Sequence, residues 1–125
     1  MSTLSSSEPG AKAGGDGGET PVQHLVLFRL PAPAGPEVEA EMRRQIAAWA
    51  GVIPGLRRLR FGADTGGRAR GYQFALLTEF DDQAAMDAYV PHPLHAAFLQ
   101  WVVDRQFEVL RFDYPLDEAT SLLES

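Results

Sequence analysis

The segment 22–30, VQHLVLFRL, predicts a β-strand with two largely apolar faces. Because alternate residues of a strand point to opposite faces, one face carries Val22, His24, Val26, Phe28 and Leu30. Leu25 and Leu27 occupy the other face. A strand of this kind has to be covered from both sides. A chain of 125 residues must meet that demand with few elements.

The remaining periodicity predicts three more strands and two helical stretches. The strands are expected at residues 56–62, 72–80 and 107–114. Proline suits a first helical position, so Pro36 marks the start of a helix whose inward stripe is Val38, Met42, Ile46 and Trp49. A second helical stretch follows a cap at Asp81 or Asp82 and is interrupted by Pro91 and Pro93. The order β-α-β-β-α-β predicts an α+β, ferredoxin-like fold.

In this plan the helices cover one face of the sheet and leave the other face open. The first strand has apolar residues on the open face, and a chain this small has no spare element to cover them. Pairing two sheets across a two-fold axis buries both open faces. The sequence therefore predicts a homodimer of the dimeric α/β-barrel type.

The ends of the chain differ in composition from the middle. Residues 1–20 are rich in glycine and serine and bury too little apolar surface to offset their ordering entropy, so we expect a disordered tail. Residues 117–125 are expected to form a short, weakly ordered tail. The folded domain is then residues 21–116.

Composition excludes several classes of function. The chain has no cysteine, which excludes disulfides, thiolate zinc sites and cysteine nucleophiles. A net charge of −6 argues against a nucleic-acid partner, because phosphate binding needs a basic surface. No apolar run is long enough for a membrane span and no signal peptide is evident, so a cytoplasmic location without membrane association is expected.

The stretch YVPHPLHAAF holds two of the three histidines. His92 lies between two prolines and predicts a turn or a helix cap. His92 and His95 could chelate a metal at i, i+3 spacing, but Pro93 distorts that geometry and no carboxylate completes the set, so no metal and no cofactor are predicted. Tyr89 is equally compatible with the core, and His24 with a structural role on an apolar strand.

Five segments together resemble the stress-responsive dimeric α/β-barrel (Dabb) family. They are HLVLFRL, IPGLRRLRFG, GYQFALLTEF, AYVPHPLHAAF and VLRFDYPL, in this order, over about residues 21–116. The resemblance implies a ferredoxin-like homodimer. It implies less about activity, because most members have no assigned reaction and one fold hosts many functions.

Within that family, the polyketide cyclases indicate which reaction the resemblance implies. They close a ring by an intramolecular aldol condensation without a cofactor. His24 matches their first-strand histidine, His95 matches the catalytic histidine that ends an HPxH unit, and Tyr89 matches a tyrosine six residues earlier. Phe74 stands where a cyclase has a further histidine. The resemblance thus implies catalytic roles for His95, Tyr89 and His24.

The chemistry of an aldol closure suits these residue types. It needs a base that removes a proton next to a carbonyl and a donor that stabilises the enolate, and imidazole and phenol can supply them. A small apolar or polyketide-like molecule is the expected partner. The residues expected to line its site are Phe28, Tyr72, Phe74, His92 and Phe98.

Two other functions compete with a cyclase-like lyase in biosynthesis. The same pocket could hold a small ligand without catalysis, in a stress-related binding barrel. Fold analogy alone adds a cofactor-independent monooxygenase. We expect an enzyme of the cyclase type.

Overall fold

The computed structural model describes residues 20–33 and 35–123, which contain a four-stranded antiparallel sheet with helices on one face. The strand order is β2-β3-β1-β4. The strands are β1 (Val22–Arg29), β2 (Leu56–Ala63), β3 (Tyr72–Phe80) and β4 (Glu108–Pro115). The helices are α1 (Pro36–Ala47), α2 (Gln83–Tyr89) and α3 (Pro93–Asp104). The predicted ferredoxin-like order is confirmed, with the second helical stretch divided into α2 and α3.

Only part of the two predicted tails lies within the described residues. Except for Thr20, the segment 1–20 lies outside the described residues. Within the predicted C-terminal tail, Glu118–Thr120 form a short 3-10 helix that Asp117 caps. Among the described helices, none is long and apolar enough to cross a membrane.

Local sequence explains where the helices begin. Pro36 occupies the start of α1, and Glu37 and Glu39 in its first turn favour the helix N-terminus. The side chain of Asp82 accepts a hydrogen bond from the Ala85 amide at 2.8 Å and caps α2. The cap is therefore Asp82 of the two predicted alternatives.

The core lies between the sheet and the helices. The end of α1 differs from the predicted stripe, because the helix stops at Ala47 and turns carry Trp49 inward. Trp49 is nevertheless fully buried. Around it pack buried side chains from both layers: Val26, Phe28, Met42, Ile46, Leu76, Phe80, Tyr89, Phe98 and Val102.

The helix-free face of the sheet is also apolar, as the two-sided pattern of β1 predicts. Leu25 pairs with Phe112, and Leu27 pairs with Leu110. Phe112 is 64% exposed and Leu110 is 51% exposed. We call this patch of Leu25, Leu27, Leu77, Leu110 and Phe112 the outer face. It places large apolar side chains in water, which is unfavourable unless something covers them.

Two glycines allow a matched test of the packing between the sheet and α2. Gly51 and Gly55 both have positive φ, at 74° and 80°. A Cβ at Gly55 would lie 2.5 Å from the Cβ of Ala85, whereas a Cβ at Gly51 would meet nothing within 4 Å. Gly51→Ala should cost about 1 kcal/mol of unfolding free energy for its backbone conformation. Gly55→Ala should cost about 1–3 kcal/mol more, because α2 must move. Urea denaturation measures both, and equal losses would contradict the close contact.

Candidate functional site

A narrow cavity lies between the inner face of the sheet and the broken helical stretch. Four polar residues line it, namely His24 from β1, Tyr89 from α2, His95 from α3 and Arg111 from β4. The rest of the lining is apolar and includes Phe28 and Phe98. All three predicted catalytic residues are therefore brought together in one place.

The break between α2 and α3 creates the contact between Tyr89 and His95. Tyr89 is the last residue of α2, and His95 lies in the first turn of α3. Pro91 and Pro93 separate the two helices, and their redirection brings the two rings to a centroid distance of 4.1 Å. On a continuous helix, residues six positions apart would not face each other.

His92 forms the other half of this break. Its Nδ1 accepts a hydrogen bond from the Leu94 amide at 3.2 Å and caps α3. The prediction of a capping role for His92 is confirmed. His92 is not among the residues that line the cavity.

The hydrogen bond of His95 defines which of its ring nitrogens carries the proton. Its Nδ1 lies 2.8 Å from the carbonyl oxygen of Val90. A carbonyl can only accept, so Nδ1 donates and Nε2 keeps a free lone pair in the neutral ring. Burial lowers the pKa of His95, and the Val90 hydrogen bond opposes that effect. The neutral form, which can act as a base, is therefore favoured near pH 7.

For Tyr89, in contrast to His95, the protonated form is favoured. Its side chain is 2% exposed and packs against Phe80, with ring centroids 4.8 Å apart, and against Trp49 at 5.6 Å. Burial raises the pKa of the Tyr89 hydroxyl well above its usual range. The hydroxyl therefore keeps its proton and is available as a donor. A base and a donor are thus in contact within one cavity.

His24 is held by an acidic partner on the neighbouring strand. β1 and β4 pair in a register that places Asp113 directly opposite His24, and the His24 Nδ1 bonds to the Asp113 Oδ1. Since a carboxylate only accepts, this bond fixes the proton on Nδ1. The His24 ring lies 6.0 Å from the Tyr89 ring, edge to face.

Sequence reasoning did not identify Asp113 or Arg111. The alternation of β4 places Val109, Arg111 and Asp113 on one face, which could have been read from the sequence. The ferredoxin-like fold places its last strand beside the first. The register between them, which pairs Asp113 with His24, has no signal in a single sequence.

The predicted lining residues divide between two places. Phe28 and Phe98 line the cavity, and their rings lie 5.9 Å apart. Phe74 instead stacks on Phe61 at 5.5 Å, and Tyr72 lies under the Arg29 guanidinium at 5.4 Å. Tyr72 and Phe74 border a separate open groove near the start of α1. The polar cluster is thus not beside either of them.

The cavity itself is small. It has about 20 Å³ of free space. That suffices for roughly one water molecule, whereas sites for drug-sized ligands measure about 300–1,000 Å³. In residues 20–33 and 35–123, no three acidic or histidine side chains are grouped so that they could hold a metal ion. A ligand can place only a compact group in the cavity beside Tyr89 and His95 unless the helices move.

Residues 22–116 match the model of the stress responsive A/B barrel domain. The chain therefore belongs to this family, as the five segments predicted. Among curated proteins, no sequence matches the chain.

Solved structures share the fold. A dimeric ferredoxin-like protein of unknown function from Thermobifida fusca is 26% identical, with a TM-score of 0.70 over 79% of this chain and 93% of that chain. A Dabb family protein from Mesorhizobium loti is 27% identical, with a TM-score of 0.64 over 79% of this chain and 100% of its own. A hydroxynitrile lyase from Passiflora edulis is 17% identical, with a TM-score of 0.69 over 79% and 95%. At that identity the last likeness concerns the fold alone.

The lowered pKa of His95 predicts a pH-dependent stability. Below about pH 6.5 an unfolded histidine takes up a proton, while the buried His95 resists it. The unfolded state then binds more protons, so the free energy of unfolding decreases as the pH falls from 7 to 5. His95→Asn removes this titration and should lose less stability over the same interval. Urea denaturation of both proteins at pH 7 and pH 5 measures the difference, and identical pH dependence would contradict a buried neutral His95.

Proposed function

We propose that this protein is a cofactor-free acid–base enzyme that forms or breaks a carbon–carbon bond next to a carbonyl, as in aldol-type ring closure by a polyketide cyclase. The observation that carries the proposal is the contact between His95 and Tyr89. One ring has a free lone pair on Nε2, the other has a protonated hydroxyl, and both line the same cavity.

The reaction needs only these groups. His95 Nε2 removes a proton from the carbon next to a carbonyl, and the Tyr89 hydroxyl donates a hydrogen bond to the oxygen that becomes negative. The enolate carbon then attacks a second carbonyl of the same molecule. Protonated His95 returns its proton to the new alkoxide. No atom is gained or lost in this closure, so the balance requires no oxidant or reductant.

Asp113 and His24 supply position rather than proton transfer in this proposal. The Asp113 carboxylate fixes the orientation and the tautomer of His24. His24 borders the cavity beside Tyr89 and can orient the reacting carbonyl. Asp113 acts through His24 and is a positioning residue.

The Passiflora edulis protein of this fold is a lyase by name. Because its identity to this chain is 17%, residue roles here rest on the geometry of the cavity.

A ligand-binding barrel without catalysis is the second candidate, and the largely apolar lining of the cavity supports it. About 20 Å³ cannot enclose a linear polyketide. The enzyme proposal therefore requires a substrate whose reacting end is compact, or helices that open on binding.

Association through the outer face completes the proposal. A second copy of the chain would cover Phe112 and Leu110, which are otherwise exposed to water. The Thermobifida fusca protein of the same fold is described as dimeric. We infer that two copies pack sheet to sheet by a two-fold axis.

Exchange of hydrogen for deuterium next to a carbonyl tests the base without requiring the natural product. Short ketones such as 2-pentanone and 4-oxopentanoate are incubated with the protein in D₂O and followed by proton NMR. His95→Ala should slow the catalysed exchange by about 10²–10⁴-fold, and Tyr89→Phe should slow it while the fold persists.

The matched control for these variants is His92→Ala, which should cost about 1 kcal/mol of stability as a lost cap and leave the exchange rate nearly unchanged. An essential His92 with a dispensable His95 would reject the assignment. Absence of any catalysed exchange, with the ketones nevertheless bound, would favour the binding barrel.

The dimer is tested by placing a charge on the outer face. Phe112→Glu should convert a dimer into a monomer at micromolar concentration, because the carboxylate would be buried in the interface. Val103 on α3 has a similar exposure of 58%, so Val103→Glu is the control and should remain dimeric. Light scattering gives the mass of each. A wild-type monomer, or a dimer that survives Phe112→Glu, would refute the interface.

A further inference from the structure

Arg111 is the one cationic side chain that borders the cavity among the described residues. It lies on β4 directly opposite Val26, which belongs to the buried floor of the same cavity. The residue as a whole is exposed. Arg111 therefore borders both the cavity and the solvent, whereas Tyr89 is buried.

The charge of Arg111 is not balanced by a neighbouring carboxylate. Five other arginines form ion pairs with acidic side chains, and these are Arg29, Arg43, Arg44, Arg57 and Arg58. Within the described part of the chain, no carboxylate lies within ion-pair distance of Arg111. Asp113 lies two residues along the same face, but its carboxylate is bound to His24.

The cavity lining also contains no carboxylate. Its polar groups are the two imidazoles, the phenol and the guanidinium. Burial is the largest cause of the lowered pKa of His95 and of the raised pKa of Tyr89; the Arg111 charge acts on both groups, and the Asp113 charge opposes it at Tyr89. The cavity lining thus carries the Arg111 charge and no carboxylate, in a chain of net charge −6.

We propose that Arg111 binds the carboxylate of the substrate, and that the substrate class is a short keto acid that carries a second carbonyl group for the ring closure. A guanidinium presents paired N–H donors that match the two oxygens of a carboxylate. With the carboxylate at Arg111, the keto group of a short acid can enter the narrow cavity beside the Tyr89–His95 pair. The small volume of the cavity is compatible with an anchor outside it. The anchored carboxylate stays in contact with solvent, and only the carbonyl end of the substrate is enclosed.

This inference rests on the proposed acid–base function of the same cavity. It adds that a neutral substrate of equal length is bound more weakly. The matched probes are 4-oxopentanoate and its methyl ester, which differ in charge and share the ketone. The dissociation constant of each is measured by NMR titration at low ionic strength, and deuterium exchange next to the ketone is measured in the same samples.

The wild-type protein should bind the acid roughly three- to tenfold more tightly than the ester. Arg111→Gln should remove that preference, whereas Arg111→Lys should retain part of it. Arg68→Gln is the control for charge, because Arg68 lies in the loop between β2 and β3 and does not line the cavity. Added salt should weaken binding of the acid and leave that of the ester unchanged.

The outcomes separate the two proposals. Acid binding that depends on Arg111, without catalysed exchange, would support the anchor and reject the acid–base enzyme. Catalysed exchange with equal affinity for acid and ester would support the enzyme and overturn the role of Arg111. Equal effects of Arg111→Gln and Arg68→Gln on acid binding would also overturn it, since a general change of charge would then explain the result.

Discussion

The central position of β1 in the sheet determines most of the structure. β1 is hydrogen-bonded to β3 on one side and to β4 on the other, and it carries apolar residues on both of its faces. One face forms the floor of the core and of the cavity. The other face, with its neighbours on β3 and β4, forms the exposed apolar patch. A single strand thus demands both a helical layer and a partner for the opposite side.

The second constraint is the interruption of the helical stretch by two prolines. A continuous helix would carry Tyr89 and His95 to different faces. The break instead turns the first residues of α3 back toward the end of α2, with His92 satisfying the amide of Leu94. The buried phenol and the partly buried imidazole then have environments that favour the protonated and the unprotonated form, respectively. The pairing places a proton acceptor beside a hydrogen-bond donor in the cavity.

Periodicity predicted the fold well because it reports which face of an element is buried. β3 has the predicted bounds of Tyr72–Phe80, and β1 and β4 differ from prediction by about one residue at an end. Tyr89 and His95, to which the resemblance assigned a common site, line the same cavity.

Periodicity does not report the register between strands or the lateral position of a residue in the sheet. Asp113 was missed because its partnership with His24 depends on the pairing of β1 with β4. Phe74 lies opposite Phe28 on the correct face of the sheet, but on the strand that is farther from β4. There it stacks on Phe61 of β2. The prediction that Phe74 and His24 share one site did not foresee this lateral separation.

The alternation of β4 has a consequence for regulation. Arg111 and Asp113 lie on the cavity side of the sheet, where Arg111 lines the cavity and Asp113 binds His24, while Leu110 and Phe112 lie on the outer face. β4 is an edge strand, held in the sheet by β1 alone. A second copy packed on Phe112 would therefore immobilise the same backbone that carries Arg111 and the Asp113 carboxylate bound to His24. For the proposed enzyme, specific activity would then rise with protein concentration, because dilution separates the two copies.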